Sequence, residues 1–504
     1  MLLALAGEAR ATNGAKLLAV GTRAGGRAGV DTAIADDATA LGTNPAGIGF
    51  IDGQRLDSNI AAYRPSVRWQ NPVDQDKGGN PSIGAIVGGS AGFCFDLDDT
   101  WRLGEALAFD PESPSDVPSR YSTDYDRSGL KIGVAILPAA GAYVHLSAFS
   151  PLYDRSGPGP QPWNSELKEV GWTLGIAWRI SRILSIGFAP QLITALPGFK
   201  QLDDNQPVTQ PVSILKGHPF ANTQTTYGDL APFVGARTIE GSGDMSDVHT
   251  FGFRLRLGVL LVPVQWETGQ WSLGLSYASQ SFKQDYLGKV KVDFTRQMNV
   301  LDPQGTLIKS AIAANTGIAE VDQHYVGEWN MRLSPLNAPQ EVSIGNAEQL
   351  SRLLLALDLT WINWSATEDK VHGRLTNGTS IELNELIGGG NAPLDIPLNW
   401  KDQLVVAVGA SVSATDWLTL RAGYNYAKNP VPANTLQPNK PAIFEHHVTC
   451  GLSFYVRRLE VSLAYEHDFE KKVHVGENIA NSDVSNSDIT ASLDAASIGF
   501  GLRF

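Results

Sequence analysis

Few residues in this chain stand at spacings that suggest chemistry. His145 and Ser147 share one face of an extended segment at i,i+2, the spacing that outer-membrane phospholipases use for base and nucleophile. Such a pair needs a third group to orient the imidazole, and the flanking sequence offers none. Asp74-Gln-Asp-Lys-Gly-Gly79 begins like a calcium loop, but its twelfth position is Ala85 where a bidentate glutamate belongs, so it reads as a solvated loop. His446 and His447 are adjacent and in a strand face opposite ways, which suggests a surface pair rather than a metal set. Cys94 and Cys450 have no metal-ligand spacing, and free thiols are expected in preference to a disulfide. No glycine loop of the phosphate-cradling kind sits between a strand and a helix. The chain is therefore read as a non-enzyme with no metal and no cofactor. A lipid hydrolase built on His145 and Ser147, and an adhesin or structural barrel without cargo, are the competing readings.

Composition points to a membrane. The 504 residues are 43% hydrophobic but only 18% charged, below the ~25% charged residues usual in soluble domains. Mean hydropathy is nevertheless −0.11, and no apolar run approaches the ~20 residues that a membrane helix needs. A spanning chain without such helices must satisfy its backbone in a closed barrel. The net charge of −13 and the lack of a basic cluster argue against nucleic acid as a partner.

Period-2 alternation recurs down most of the chain. Trp271, Leu273, Leu275 and Tyr277 share one face, and so do Leu353, Leu355, Leu357, Leu359 and Trp361. An arginine on the lipid face near the midplane costs about 2–4 kcal/mol, so Arg179, Arg254, Arg256 and Arg421 are expected to face the lumen. The pattern predicts an all-β fold of fourteen antiparallel strands: roughly 54–69, 128–138, 141–153, 168–180, 182–196, 249–263, 270–294, 339–346, 351–366, 402–413, 416–427, 446–456, 459–470 and 494–504. Short turns, among them Leu137-Pro-Ala-Ala-Gly141, alternate with long connections, chiefly 197–248 and 295–338, which are taken as extracellular loops. Trp172, Trp178, Trp266, Trp271, Trp361, Trp364 and Trp417 fall near strand ends, where interfacial girdles would place them. Ile498, Phe500, Leu502 and Phe504 form one face of a final strand that ends in an aromatic, a signal for barrel-assembly machinery.

The ends of the chain behave differently. Residues 1–11 look like the tail of a secretory leader, with Ala9-Arg-Ala11 as a small-x-small cleavage site, so the mature chain is expected to begin near Thr12. Residues 12–53 do not alternate and are rich in Gly and Ala. They bring Arg23, Arg27, Asp36 and Asp37 close together, which suits a plug inside the lumen of the barrel formed by 54–504.

Gly26-Arg-Ala-Gly-Val-Asp-Thr-Ala-Ile-Ala-Asp-Asp-Ala-Thr-Ala-Leu-Gly-Thr-Asn-Pro-Ala-Gly47 resembles the hatch segment of the FadL/TodX family, including its Asn44-Pro45-Ala46 motif. Ser272-Leu-Gly-Leu-Ser-Tyr, Leu359-Thr-Trp-Ile-Asn-Trp-Ser, Trp400-Lys-Asp-Gln and Leu418-Thr-Leu-Arg-Ala-Gly-Tyr extend the likeness over most of the chain. The resemblance implies a multi-pass barrel of the bacterial outer membrane, plugged by a hatch. It also implies passive uptake of long-chain fatty acids or aromatic and aliphatic hydrocarbons past the lipopolysaccharide. Cargo would pass from outer loops to an inner pocket and leave sideways at a kink in the third strand. Within 141–153, Pro151 cannot donate a ladder hydrogen bond, so Ser147, Ala148, Phe149, Ser150 and Pro151 are the candidate kink. Leu192, Leu196, Phe199, Leu215, Phe220 and Phe233 are the candidate ligand contacts, since apolar side chains on long loops suggest a ligand groove. Fatty-acid members carry basic residues near the end of the fifth strand. Leu192–Gly198 has none before Lys200, which favours neutral ligands.

Overall fold

A computed structural model describes residues 13–34, 36–71, 78–79, 86–96, 129–148, 161–195, 202–211, 238–299, 305–317, 319–320, 325–334, 337–367, 369–380, 392–481 and 484–504. The leader expected at 1–11 lies outside them. Fourteen strands follow one another around a ring: β1 (Arg55–Gln70), β2 (Ile86–Asp96), β3 (Gly129–Ala148), β4 (Gln161–Ser181), β5 (Leu184–Thr194), β6 (Thr238–Trp266), β7 (Gly269–Ala278, continued by Phe282–Asp293), β8 (Val326–Ser334, continued by Gln340–Leu350), β9 (Leu353–Asn363, continued by Lys370–Thr376), β10 (Ala392–Pro397, continued by Gln403–Ser413), β11 (Leu418–Ala427), β12 (His446–Val456), β13 (Leu459–Val475) and β14 (Ser487–Arg503). The ring closes where β14 pairs antiparallel with β1, from Arg55↔Arg503 to Gln70↔Asp488. Closure removes the unpaired edge that a lipid environment would penalise. Among the described residues no helix is long and apolar enough to cross a membrane.

The alternation sorts the faces as the cost of burying charge demands. Leu174, Ile176 and Trp178 of β4 are exposed outward, while Arg179 is buried inside. Arg254, Arg256 and Arg421 are inward and buried too. Trp178, Trp266 and Trp417 are exposed near strand ends, as a girdle requires, but Trp364 is not. It opens a 3-10 turn, Trp364–Ala366, that interrupts β9 and swings its ring inward onto Trp400, 5.1 Å away. Cys94 is buried and Cys450 exposed, and neither is bonded.

Two strand assignments change. The stretch 128–153 was read as a hairpin, but 129–148 is one strand, and Leu137-Pro-Ala-Ala-Gly141 lies inside it instead of forming a turn. The second ring strand is Ile86–Asp96, which was assigned to a loop. The two errors cancel, so the count of fourteen stands. The connection 97–128, outside the described residues, therefore joins strand ends on the rim that carries the short turns at 182–183 and 267–268. Parts of the expected loops 197–248 and 295–338 are also strand: Leu202–Pro211 pairs with β4 and β6, and Thr238–Val248 and Val326–Ser334 lengthen the ring.

Residues 13–53 fill the lower lumen. Thr22–Gly25 makes one helical turn, and Ala38–Gly42 and Pro45–Phe50 make two 3-10 segments. The wall meets this hatch with glycine. A Cβ on Gly345 would stand 2.6 Å from Asp358 Oδ1 and 2.7 Å from the Ala33 nitrogen; on Gly423 it would stand 2.5 Å from the Arg27 carbonyl carbon. A Cβ on Gly187 or Gly274 would meet hatch backbone more closely still, and one on Gly258 or Gly451 would come within 3.0 Å of it. Only a residue without a side chain allows that approach.

Candidate functional site

The hatch is held by polar contacts from several sides. Asn44 Oδ1 accepts from Ala46 N (3.2 Å), capping the 3-10 segment that Pro45 starts, and its Nδ2 donates to Thr32 O (2.7 Å) and Val259 O (3.1 Å). Ser185 donates to Ala46 O at 2.8 Å. Asp358 of β9 accepts from the backbone nitrogens of Asp31 (2.9 Å) and Thr32 (2.8 Å), and Asp57 of β1 accepts from Ala38 N (2.9 Å). Arg23 pairs with Asp36; Arg27 pairs with Asp31 at 3.0 Å and lies 3.8 Å from Asp36. Glu460 of β13 gathers Arg23 (3.4 Å), Arg55 (3.0 Å) and Arg421 (3.7 Å). Asp37 caps Ala38–Gly42 through Thr39 N at 2.8 Å. The predicted hatch residues Arg27, Asp36, Asp37, Asn44, Pro45 and Ala46 thus all fall at the docked interface or in its ion network. Burial pushes the Asp31 carboxyl up to about 7 and that of Asp37 up to about 6. Burial opposes ionisation of Asp36 as well, but Arg23, Arg27 and Arg55 outweigh it and hold its carboxyl down to about 2.

Above the hatch the described residues leave a cavity in the lumen. A pocket enclosing about 1560 Å³, including its mouth, is lined by Val144, Tyr286, Leu333, Val371, Trp400 and Phe444 among others. Its wall is mostly apolar, as ligand sites are. Its floor is polar. Lys16 of the hatch pairs with Glu341 at 2.5 Å, and Glu341 also holds Arg254 at 2.7 Å and Arg256 at 3.5 Å. Arg254 also donates from Nε to Ser279 O (2.9 Å) and from Nη2 to Pro339 O (2.8 Å). Burial pulls the Lys16 amine below its ordinary range, with Glu341 opposing. On one flank Gln284 donates to Glu169 at 2.8 Å, and the Tyr286 hydroxyl donates to the same carboxylate.

The pocket adjoins an irregular patch of wall. β2 pairs with β1 along Ile86–Cys94, but with β3 only from Ala91↔Ile136 to Asp96↔Lys131. Beyond Ile136, β3 slips register against β4 between Pro138 and Ala140. Its next described partner on the β2 side is Gly79, opposite Ser147. Ala139 lines the large pocket, while Pro138 lines a second, smaller cavity together with Gly89, Ser90, Leu17 and Tyr63. The two cavities therefore meet at one irregular point of the third strand.

Other predicted contacts fall elsewhere. Ser147 and Ala148 are the last described residues of β3, and Phe149, Ser150 and Pro151 lie outside the described set. His145 is half-buried opposite Asn164. Leu192 is on the outward parity of β5 with Ile186 and Phe188, both exposed; its neighbour Ile193 is the buried, inward residue. Leu192 thus sits on the outer face of the wall, while Ile193 turns inward. Leu196, Phe199, Leu215, Phe220 and Phe233 lie outside the described residues. The sequence reading missed Tyr286, Leu333, Val371 and Phe444, each supplied by a different segment. One signal was available: Tyr286, Val290 and Val292 are apolar at the inward positions of β7, where β6 carries arginines lower down.

No curated protein matches this sequence. Among solved structures the chain is similar to the Pseudomonas putida toluene transporter TodX (18% identity, covering 97% of this chain and 99% of that one, TM-score 0.67). It is also similar to the Ralstonia pickettii toluene transporter TbuX (14%, 97% and 99%, 0.64) and to a Pseudomonas aeruginosa FadL homologue (15%, 96% and 98%, 0.63). At these identities the likeness shows the fold. The family model for outer membrane protein transport proteins (OMPP1/FadL/TodX) matches residues 2–504, and the chain belongs to that family of bacterial outer-membrane β-barrels.

Proposed function

We propose that this barrel carries neutral hydrophobic compounds, aromatic or aliphatic, across the outer membrane, from the pocket above the hatch to a lateral exit between β2 and β3. The observation behind this reading is that an apolar pocket above a filled lower lumen adjoins the register slip at Pro138–Ala140. Cargo that cannot pass the hatch can leave where the wall is least paired. This moves the proposed kink from Ser147–Pro151 to Pro138–Ala140. The apolar wall and the lack of a base in Leu192–Gly198 support neutral cargo, and the floor cations Lys16, Arg254 and Arg256 are engaged with Glu341. Toluene and related compounds are the named cargo of similar transporters, which makes an arene the first probe to use.

The test is uptake of labelled toluene and labelled oleate by cells with the intact chain and with Ala139 deleted, which restores an unbroken β3 register. The expected result is toluene uptake above a barrel-free control that falls at least fivefold on the deletion. Equal uptake with and without the slip would remove the lateral route, and uptake of oleate alone would remove the neutral-cargo reading.

A further inference from the structure

His446 and His447 were read as a surface pair, and half of that fails. His446 is exposed against Tyr424, whereas His447 is fully buried on the inner face of β12. Across the ladder His447 stands opposite Asp468, and Thr449 stands opposite Glu466. An imidazole, two carboxylates and a hydroxyl thus share one patch of wall. Just past Asp468, the β13–β14 pairing slips register before Lys471, and bulges of this kind re-aim side chains.

With both carboxylates ionised, the patch is not satisfied by the protein. His447 Nδ1 lies 2.7 Å from Asp468 Oδ1, and both side chains are 0% exposed. His447 Nε2, Asp468 Oδ2, Glu466 Oε1 and Thr449 Oγ1 are buried without a hydrogen-bond partner. Among the described residues no lysine or arginine pairs with either carboxylate. Buried polar atoms are nearly always partnered, and four orphans together call for a missing group. A ligand atom from each of His447, Glu466 and Asp468 lies within 4.8 Å of the others. That is close enough for modest side-chain shifts to reach the ~2.0–2.2 Å ligand distances of zinc.

We propose that His447, Glu466 and Asp468 form a divalent-metal site of the zinc class in the barrel wall, with Thr449 or water completing the tetrahedron. One imidazole and two carboxylates suit a borderline first-row ion, whereas calcium and magnesium prefer all-oxygen shells. The ion supplies the positive charge the patch lacks and ties β12 to β13. Glu466 also lines the small cavity that holds Pro138 and Gly89, so the ion sits beside the irregular wall between β2 and β3.

The experiment uses the full chain in detergent micelles, stripped with chelator and titrated with zinc chloride by calorimetry and metal analysis. The expected result is one zinc per chain, at least tenfold weaker in H447Q and in D468N, and unchanged in H446Q/H467Q/H474Q, which removes exposed histidines. Calcium chloride in place of zinc should bind at least tenfold more weakly. Should the buried variants fail to fold, as read by heat-modifiable gel mobility, E466Q at the cavity rim carries the same tenfold expectation. Absence of zinc binding, zinc retained in both H447Q and E466Q, zinc lost in the exposed-histidine variant, or a preference for calcium each overturns the proposal.

Discussion

The lumen has two halves built on opposite rules. In the lower half the wall is glycine and charge, and chain fills the space: Gly345 and Gly423 press on hatch backbone, and Glu460 and Asp358 grip it. In the upper half the same strands turn apolar side chains inward, and Tyr286, Leu333 and Val371 surround a space that none of the described residues fills. One set of strands thus makes a stopper and a receptacle simply by changing which residues occupy the inward parity. A barrel of uniform inner polarity would be a pore or a solid plug. The junction between the two halves is charged: Lys16, Arg254 and Arg256 gather on Glu341.

The lower half should be the more fragile under single changes. Glu460→Gln leaves Arg23, Arg55 and Arg421 buried around a neutral amide. Breaking a buried ion pair from one side costs about 3–5 kcal/mol. Hydrogen exchange across residues 22–43 should accelerate by two orders of magnitude or more; unchanged protection would show that the ion network does not hold the hatch. Next in size is Gly345→Val. The new Cβ would meet Asp358 Oδ1 and the Ala33 nitrogen, and overpacking of that kind costs about 1–3 kcal/mol. The same hatch segment should loosen, while the upper lumen keeps its ligand affinity.

The upper half should respond in the opposite sense. Val371→Thr keeps shape but turns a hydroxyl toward the pocket, and burying a hydroxyl without a partner costs about 1–3 kcal/mol. Affinity for toluene, read by quenching of tryptophan fluorescence, should fall about fivefold or more, with hatch exchange unchanged. A coupled loss of both would mean that pocket and hatch are one cooperative unit.

The contrast between the halves also governs what could be read from sequence. Where strands present hydrophobic residues to lipid and polar ones inward, the alternation is plain, and 446–456, 416–427 and 351–366 fall within a few residues of His446–Val456, Leu418–Ala427 and Leu353–Asn363. It fades in Ile86–Asp96, because Gly88, Gly89 and Gly92 carry no periodic signal, and Gly92 leaves room for Ala38 of the hatch. It misleads at Leu137–Gly141, where proline and glycine that read as a turn bend a continuous strand. The hatch was legible as a block that does not alternate. The pocket was not, because its residues come from many separate strands and loops, and only the folded ring brings Val144, Val371 and Phe444 together. The buried state of His447 was hidden for the same reason: its partners Glu466 and Asp468 are supplied by the next strand.

The smallest expected effect is a pH dependence confined to the lower half. Burial raises the Asp31 and Asp37 carboxyls to about 7 and about 6 in the docked hatch, whereas a released segment would titrate near the ordinary ~3.9. A group whose pKa is raised on docking binds protons more tightly in the docked form, so its stabilisation is complete in acid and lost as pH rises through 6 to 7. Asp36 has the opposite sign, because Arg23, Arg27 and Arg55 outweigh its burial and hold it at about 2. Its contribution is present above about 4 and fades only as pH falls toward 2, outside the window of the other two. Between pH 8 and pH 5 the hatch should therefore dock more firmly. Hydrogen exchange over residues 22–43, corrected for the intrinsic rate, should slow severalfold across that range. Asp31→Asn with Asp37→Asn should flatten the dependence without changing toluene affinity. Exchange that quickens toward pH 5 would reverse the sign and place the controlling titration on Asp36 or on the wall.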